Sequence, residues 1–221
     1  MVDMTTKQCI LVNGESGAGK TEATKSLLKH LVYISQSTVA NLHERIVKVN
    51  PVLEAFGNAQ TSMNHNSSRF GKFVEVMFRL DGRLTGARIH DYLLEKSRVV
   101  HLGPQERNFH VFYYMFAGMP EETLRYYYLE DPMVHRILKC EERSKSIFHN
   151  PEDRDRCQRM FKEMESELGS VGFDSDDMAT IYSCLAAVLF ITNIQFQPDD
   201  DSDGTYIIDE YPVSIGELMH T

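Results

Sequence analysis

The sequence predicts an α/β protein in which strands and helices combine over residues 1–107 and helices dominate residues 108–221. A short β-rich run at residues 9–12 leads into a glycine-rich segment, and apolar residues at helical spacing follow it. Two later apolar runs flank an Asp-Gly turn, which is typical of a hairpin. We therefore expect a core with a partial mixed sheet and flanking helices, followed by a mainly helical part.

Each element of the first part follows from its local pattern. Residues 9–12 should form a buried strand, and a helix of about four turns should begin near residue 20. A second helix should span residues 41–56, with a kink or a join at Pro51, because proline cannot donate the helical hydrogen bond. Residues 57–69 are rich in Asn, Ser and Thr without apolar periodicity, so we expect a loop there.

The predicted hairpin consists of residues 73–78 and 88–100, joined through the turn at Asp81-Gly82. The charged residues of segment 95–98 would then lie in its second strand.

The helical part carries start and stop signals. Asn150 should cap a helix that begins with Pro151, Gly169 should end it, and Asp174 should cap a further helix. Residues 198–204, rich in aspartate, should form an exposed acidic loop. Apolar residues at helical spacing predict the buried faces: Cys157, Met160, Phe161, Met164 and Leu168 in the first helix, and Met178, Ile181, Leu185, Val188 and Leu189 in the second.

Composition limits the classes of function. The net charge of −9 leaves no basic surplus for a phosphate backbone, so we expect no nucleic-acid partner. The 4 cysteines lie far apart without a C-x-x-C spacing, which leaves a zinc site unsupported. The longest apolar stretch is well below the ~18 residues that a membrane span needs, and no signal peptide pattern is present, so we expect no membrane span and a reducing cytoplasm.

Residues 14–21 match the pattern G-x-x-x-x-G-K-[ST] in full. In such a loop successive backbone N–H groups point at phosphate oxygens, and the following helix adds its positive end. Lys20 would reach the β- and γ-phosphates as a point charge, and the Thr21 hydroxyl would be a Mg²⁺ ligand. The motif predicts a P-loop NTPase core that binds ATP or ADP with Mg²⁺ through Gly14, Glu15, Ser16, Gly17, Ala18, Gly19, Lys20 and Thr21. A chance glycine-rich turn is the alternative, but the predicted strand before it and helix after it favour the phosphate loop.

A second motif, NHNSSRFGK at residues 64–72, follows the second predicted helix. Here the chain resembles the myosins: GESGAGKTEATK is similar to their phosphate loop and NHNSSRFGK to their first switch loop. The segments NPVLEAFGNAQT, DYLLEKSRVV, ERNFHVFYYMFAG and LAAVLFITNIQF also resemble myosin motor segments, in order along most of the chain. Kinesins share the phosphate loop and N-x-x-S-S-R but continue with Ser-His, where this chain has Phe70-Gly71. A simple turn before a strand is the alternative for the second motif taken alone.

The resemblance implies a role for each matched residue. Asn64 would hydrogen-bond the nucleotide phosphates, with Asn58 beside the same site. Ser67 would contact the γ-phosphate and help to relay a proton from the attacking water. Ser68 would complete the Mg²⁺ shell with Thr21.

Arg69 would form a gating ion pair with a glutamate of the second switch loop of myosins. That glutamate belongs to a D-x-x-G-[FY]-E pattern, which does not occur in the sequence, so we expect the Arg69 guanidinium to be left unpaired. Phosphoryl transfer depends on positioned charge more than on a strong nucleophile, and Lys20, Ser67 and Arg69 are the expected catalytic residues.

The resemblance implies that residues 1–221 are part of a myosin motor domain. Residues 1–107 would be the nucleotide-binding core, and residues 108–221 resemble the upper 50 kDa region. A full motor of this family would hydrolyse Mg·ATP to move on actin filaments, in the cytoplasm and on the cytoskeleton. The matched segments lean towards the class III and X group. We expect a piece of a longer motor that lacks actin-activated ATPase activity alone; the alternative is a short, non-hydrolysing nucleotide-binding or scaffold protein.

Overall fold

The computed structural model describes residues 7–35, 42–139, 146–198 and 205–207. The helices in these ranges are α1 (Lys20–Ser35), α2 (Leu42–Gly57), α3 (His110–Gly118), α4 (Glu121–Tyr126), α5 (Pro151–Val171) and α6 (Ser175–Ile191). The strands are β1 (Asn58–Ala59), β2 (Ser67–Ser68), β3 (Gly71–Phe78), β4 (Leu84–Tyr92), β5 (Phe196–Pro198) and β6 (Thr205–Ile207). Short 3₁₀ turns lie at Lys96–Val99, Pro132–Val134 and Arg136–Leu138. The predicted mixture of helices and strands is confirmed.

The described strands form three two-stranded antiparallel pairs, β1–β2, β3–β4 and β5–β6, instead of the predicted mixed sheet. The prediction of a buried strand at residues 9–12 was wrong, because this segment has no regular secondary structure and pairs with none of the described strands. Ile10 and Leu11 are 64% and 86% exposed. A strand is held by hydrogen bonds to a neighbour, and β propensity alone does not supply that neighbour.

The β3–β4 hairpin is confirmed, but its second strand ends at Tyr92 instead of residue 100. Leu93 has a φ of 55°, a left-handed conformation that turns the chain out of the sheet. Glu95, Lys96 and Arg98 were therefore wrongly predicted as strand residues: they lie in or directly before a 3₁₀ turn.

The helix α2 runs through Pro51 without a break and ends at Gly57, one residue beyond the predicted end. Of the predicted kink or join at Pro51, the join is therefore wrong, since the packing of α2 outweighs one lost hydrogen bond, and the kink stays a prediction. The segment predicted as a loop, residues 57–69, folds back on itself as β1 pairs with β2. This pairing holds Ser67 and Ser68, in the middle of the second motif, against the end of α2.

The main hydrophobic core lies in the helical part. Every residue of α3 from His110 to Ala117 is buried, and α2, α5 and α6 pack around it. Gly118 at the end of α3 permits this packing, because a Cβ atom there would lie 2.3 Å from the Phe161 ring. A smaller cluster joins Leu28 of α1 to Leu84 of the hairpin.

The start of α5 is as predicted: the Asn150 side chain accepts a hydrogen bond from the Asp153 N–H, and Pro151 is the first helical residue. The predicted stop at Gly169 was wrong, because the left-handed C-cap is Gly172, with a φ of 112°. The predicted faces are buried or half-buried against the core in both α5 and α6.

Asp174 caps α6 through a capping box with Asp177, which confirms the predicted start of that helix. The predicted acidic loop falls largely on residues 199–204, which lie outside the described residues.

Candidate phosphate-binding site

The glycine-rich loop of residues 14–21 ends at the start of α1. Gly17 and Gly19 have φ angles of 82° and 84°, which glycine adopts without steric cost. Because α1 begins at Lys20, the N–H groups of its first turn have no acceptor within the helix. The junction therefore combines free donors with the positive end of the helix dipole, a combination that favours anions.

The Lys20 side chain folds back into this loop. Its Nζ atom donates to the backbone carbonyls of Gly14, at 2.6 Å, and Glu15, at 2.7 Å. Carbonyl oxygens hold the ammonium in place without neutralising its charge, and phosphate oxygens can replace them as acceptors.

A cleft of about 360 Å³ is lined on one side by this loop and on the other by the second motif. The Ser16 and Ser67 hydroxyl oxygens lie 3.3 Å apart, so the two motifs touch directly. Most of the predicted site residues line the cleft: Ser16, Gly17, Gly19, Lys20, Thr21, Asn64, Ser67, Ser68 and Arg69. Gly14, Glu15 and Ala18 belong to the loop without lining the cleft. Residues that the sequence analysis did not single out complete the lining: Glu22, Glu54 and Asn66.

Asn66 ties the second motif to two helices. Its Oδ1 atom accepts a hydrogen bond from Asn58 Nδ2 at 3.0 Å and lies 3.1 Å from His110 Nε2 on α3. Its Nδ2 atom donates to Glu54 on α2 at 3.0 Å, and its N–H donates to Asn64 Oδ1 at 2.9 Å. Asn58 is therefore buried one layer behind the cleft, not in its lining.

Burial lowers the pKa of His110 to about 4, and the nearby Arg107 charge acts in the same direction. The imidazole that contacts Asn66 is therefore neutral at physiological pH.

Inside the cleft, the Lys25 ammonium balances the negative charge of the Glu54 carboxylate. Its Oε1 atom lies 2.9 Å from Lys25 Nζ. Burial alone would lower the pKa of Lys25, but hydrogen bonds to Glu54 and Glu22 raise it above its usual value, so the ammonium stays charged. Glu54 consequently serves as an anchor for Asn66 and Lys25.

Arg69 is paired, which contradicts the expectation of an unpaired guanidinium. Its Nε atom donates to Glu95 Oε2 at 2.6 Å, and one terminal nitrogen donates to Ser67 Oγ at 3.2 Å. The hydrogen bond from Arg69 lowers the pKa of Glu95, and Arg98 adds to this effect. The prediction failed because Glu95 reaches Arg69 only through the turn at Leu93, which no local pattern indicates.

The donor set suits magnesium. Thr21 and Ser68 place two hydroxyl-bearing residues in the same cleft lining. Mg²⁺ prefers oxygen ligands and keeps several waters when it binds beside phosphates, so it does not need a cage of carboxylates. Within the described ranges no cluster of three or more His, Cys, Asp or Glu residues could hold a metal by itself.

Comparison with known proteins identifies the family. The family profile "Myosin head (motor domain)" matches residues 1–220. Human myosin-IIIa is 41% identical over 202 residues, which cover 89% of this chain and 12% of that protein. Myosin-6 of Arabidopsis thaliana is 40% identical over 211 residues, covering 93% of this chain and 13% of that protein. The chain belongs to the myosin head family.

The relatives come from distant organisms and are much longer. The myosin IA heavy chain of Dictyostelium discoideum is 40% identical over 205 residues, which cover 92% of this chain and 20% of that protein. The chain thus spans between 12% and 20% of the length of these three curated relatives. None of the described helices is both long and apolar enough to cross a membrane.

Proposed function

We propose that the cleft binds the phosphates of Mg·ATP and that the chain supplies this part of an ATP-driven motor of the P-loop NTPase fold. One observation carries the proposal. The glycine-rich loop at the start of α1 and the second motif face each other across a single cleft, bridged by Ser16 and Ser67. An anion-binding helix start opposite a row of polar side chains suits a polyphosphate.

Three residues would hold the nucleotide and its metal. Phosphate oxygens would replace the carbonyls of Gly14 and Glu15 as acceptors for Lys20. Thr21 and Ser68 would contribute hydroxyl oxygens to Mg²⁺, which neutralises charge on the phosphates when bound.

Two further residues would act on the reaction. Ser67, which is 3% exposed, would contact the γ-phosphate and relay a proton from the attacking water to a γ-phosphate oxygen. As the water oxygen bonds to the γ-phosphorus, the bond to the bridging oxygen breaks and ADP leaves. Arg69 would stabilise the developing charge from beside Ser67. Asn64 would hydrogen-bond the phosphates, and Asn58 would hold the switch segment through Asn66.

Titration with a fluorescent ATP analogue and Mg²⁺ tests this assignment. Lys20→Ala should weaken binding at least about tenfold, because it removes a charged hydrogen-bond donor from the loop. Lys29→Ala is the matched control, since Lys29 is an exposed lysine of the same helix. Equal affinities for the Lys20→Ala variant and the parent chain would refute the phosphate-site assignment.

Actin filaments are the proposed partner of the complete motor, which would place it on the cytoskeleton. A short nucleotide-binding protein that does not hydrolyse ATP is the second candidate. Steady-state phosphate release with and without filamentous actin separates the two. We expect no actin-dependent rise from this chain alone; such a rise would identify it as a self-sufficient motor.

A further inference from the structure

The partner of Arg69 is held by a second ion pair behind it. Glu95 Oε2 accepts from Arg69 Nε at 2.6 Å and from Arg98 Nε at 2.7 Å. The backbone also joins the two segments, because the Glu95 N–H donates to the Arg69 carbonyl at 2.9 Å. Glu95 is therefore an acceptor fixed in position, not a surface carboxylate that meets Arg69 by chance.

Arg98 fixes Glu95 because it is itself immobilised. Its side chain is only 2% exposed, and one terminal nitrogen lies 2.9 Å from Glu106 Oε2. The same nitrogen donates to the Arg107 carbonyl at 3.1 Å. Glu95 is thereby anchored to the chain segment that leads into the buried helix α3.

The charges of this cluster balance only while Arg69 belongs to it. Arg69 and Arg98 carry two positive charges, and Glu95 and Glu106 carry two negative ones. Removal of the Arg69 guanidinium would leave Arg98 with two carboxylates and a net negative charge beside the cleft. The cluster therefore attracts Arg69 whenever another anion competes for it.

We propose that Glu95 is a positioning residue whose carboxylate competes with the terminal phosphate of a bound nucleoside triphosphate for the Arg69 guanidinium. The inference rests on the proposed function of the cleft. Arg69 lines that cleft and already donates to Ser67, the residue assigned to the γ-phosphate, so a short movement brings the guanidinium to the competing anion. Glu95 would thus weaken binding of a triphosphate more than binding of a diphosphate.

Nuclear magnetic resonance of the arginine side chains tests the contact directly in the 221-residue chain. The Arg69 Nε–H signal, assigned by its loss in Arg69→Lys, should be shifted downfield and should exchange slowly with solvent. Glu95→Gln should move it upfield and speed its exchange. Glu106→Gln is the matched control, because Glu106 contacts Arg98 and not Arg69. An Arg69 signal that is unchanged in Glu95→Gln, or equally changed in Glu106→Gln, would overturn the inference.

The competition between Glu95 and the terminal phosphate is measured as the ratio of the affinity for a non-hydrolysable ATP analogue to the affinity for ADP; this ratio is the triphosphate preference. Glu95→Gln should raise this preference about three- to fivefold, since the ion pair is partly exposed and its contribution is modest. Glu106→Gln should raise it less than Glu95→Gln does, because Glu106 acts on Arg69 only through the charge of the cluster and not through a contact. In an Arg69→Gln background the Glu95→Gln substitution should have no effect, because the two residues act through one interaction.

Failures of the two proposals are distinguishable. If Lys20→Ala abolishes binding while Glu95→Gln leaves the preference unchanged, the phosphate site stands and the role of Glu95 is refuted. If the parent chain binds neither nucleotide, both proposals are refuted.

Discussion

In the helical part every residue of α3 from His110 to Ala117 is buried, whereas Ile10 and Leu11, which precede the phosphate loop, are exposed. The same contrast extends over the first half of the chain, where many large apolar side chains face outward: Ile10, Leu11, Tyr33, Ile34, Phe73, Leu80, Tyr92 and Leu93. The buried cluster on that side is centred on two residues, Leu28 and Leu84. The motifs that would bind nucleotide thus lie in the half with the smaller core, so its stability should depend more on its ligand.

The electrostatic contacts differ in the same way. Directly before the helical part, the Arg107 guanidinium donates to Asp153 of α5 at 2.9 Å and lies 3.8 Å from the centre of the Tyr113 ring, with both charged side chains buried. The Arg69–Glu95 pair beside the cleft is about one-third exposed. A buried pair is strongly destabilising to break, whereas a partly exposed pair can change partners at small cost.

The largest expected effect follows from the buried pair. Arg107→Met should lower the free energy of unfolding by about 3 kcal/mol, because it leaves the buried Asp153 carboxylate with only the half-exposed Arg156 as a charged partner. Urea denaturation monitored by circular dichroism measures the loss. Arg125→Met should cost less than about 1 kcal/mol, since the ion pairs of Arg125 are exposed. Equal losses in both variants would contradict the contrast.

Acid should weaken the helical core through two buried histidines. Burial lowers the pKa of His110 and of His135 to about 4, below the ~6.5 of an unfolded chain. Between these values the unfolded state binds a proton that the folded state does not, so stability falls as the pH drops from about 6.5 to about 4. The loss should approach about 3 kcal/mol per histidine.

The measurement is the free energy of unfolding as a function of pH. His135→Gln should flatten the slope between pH 6.5 and 4 by about one proton. A slope that His135→Gln leaves unchanged would show that this histidine is not held neutral.

Helix packing gives the next effect. Gly118→Ala should cost about 1–3 kcal/mol, because its Cβ atom would overlap Phe161 and force α3 and α5 apart. Gly169→Ala provides the matched control: it lies within α5 with no atom in reach of an added Cβ, so it should stabilise the chain by up to about 1 kcal/mol. Thermal unfolding of both variants checks the prediction, and a stabilising Gly118→Ala would exclude the close packing.

The smallest effect is expected before the phosphate loop. Leu11→Ser should change the free energy of unfolding by less than about 0.5 kcal/mol, since the side chain is 86% exposed. A loss above about 2 kcal/mol in urea denaturation would mean that residues 9–12 are buried in solution, as the sequence pattern suggested.

The sequence patterns correctly predicted those features of the fold that depend on contacts between neighbouring residues. The caps at Asn150 and Asp174 and the loop before α1 depend on residues within one turn of them, so their sequence signals were sufficient. Ser67 and Arg69, which the second motif singled out, line the cleft.

Contacts between distant segments could not be predicted in this way. Asn66 and His110 meet across 44 positions, and Arg69 and Glu95 across 26, through turns that no periodicity encodes. The prediction of a strand at residues 9–12 failed for the same reason. The sequence of this segment favours a strand, but a strand also needs a neighbouring strand with which to pair.

Hydrogen exchange with and without a saturating Mg²⁺-bound, non-hydrolysable ATP analogue tests the central contrast most directly. We expect the amides of residues 110–117 and 157–168 to exchange slowly in both conditions. In the free chain, the amides of residues 14–21 and 64–69 should exchange quickly. With the ligand at 100 times its Kd, the same amides should exchange up to about 100-fold more slowly. Two results would contradict the account: the nucleotide slows amide exchange in neither segment, or it slows exchange only in the helical part. Either result would contradict the proposed site and the division of the chain into a preformed core and a ligand-stabilised half.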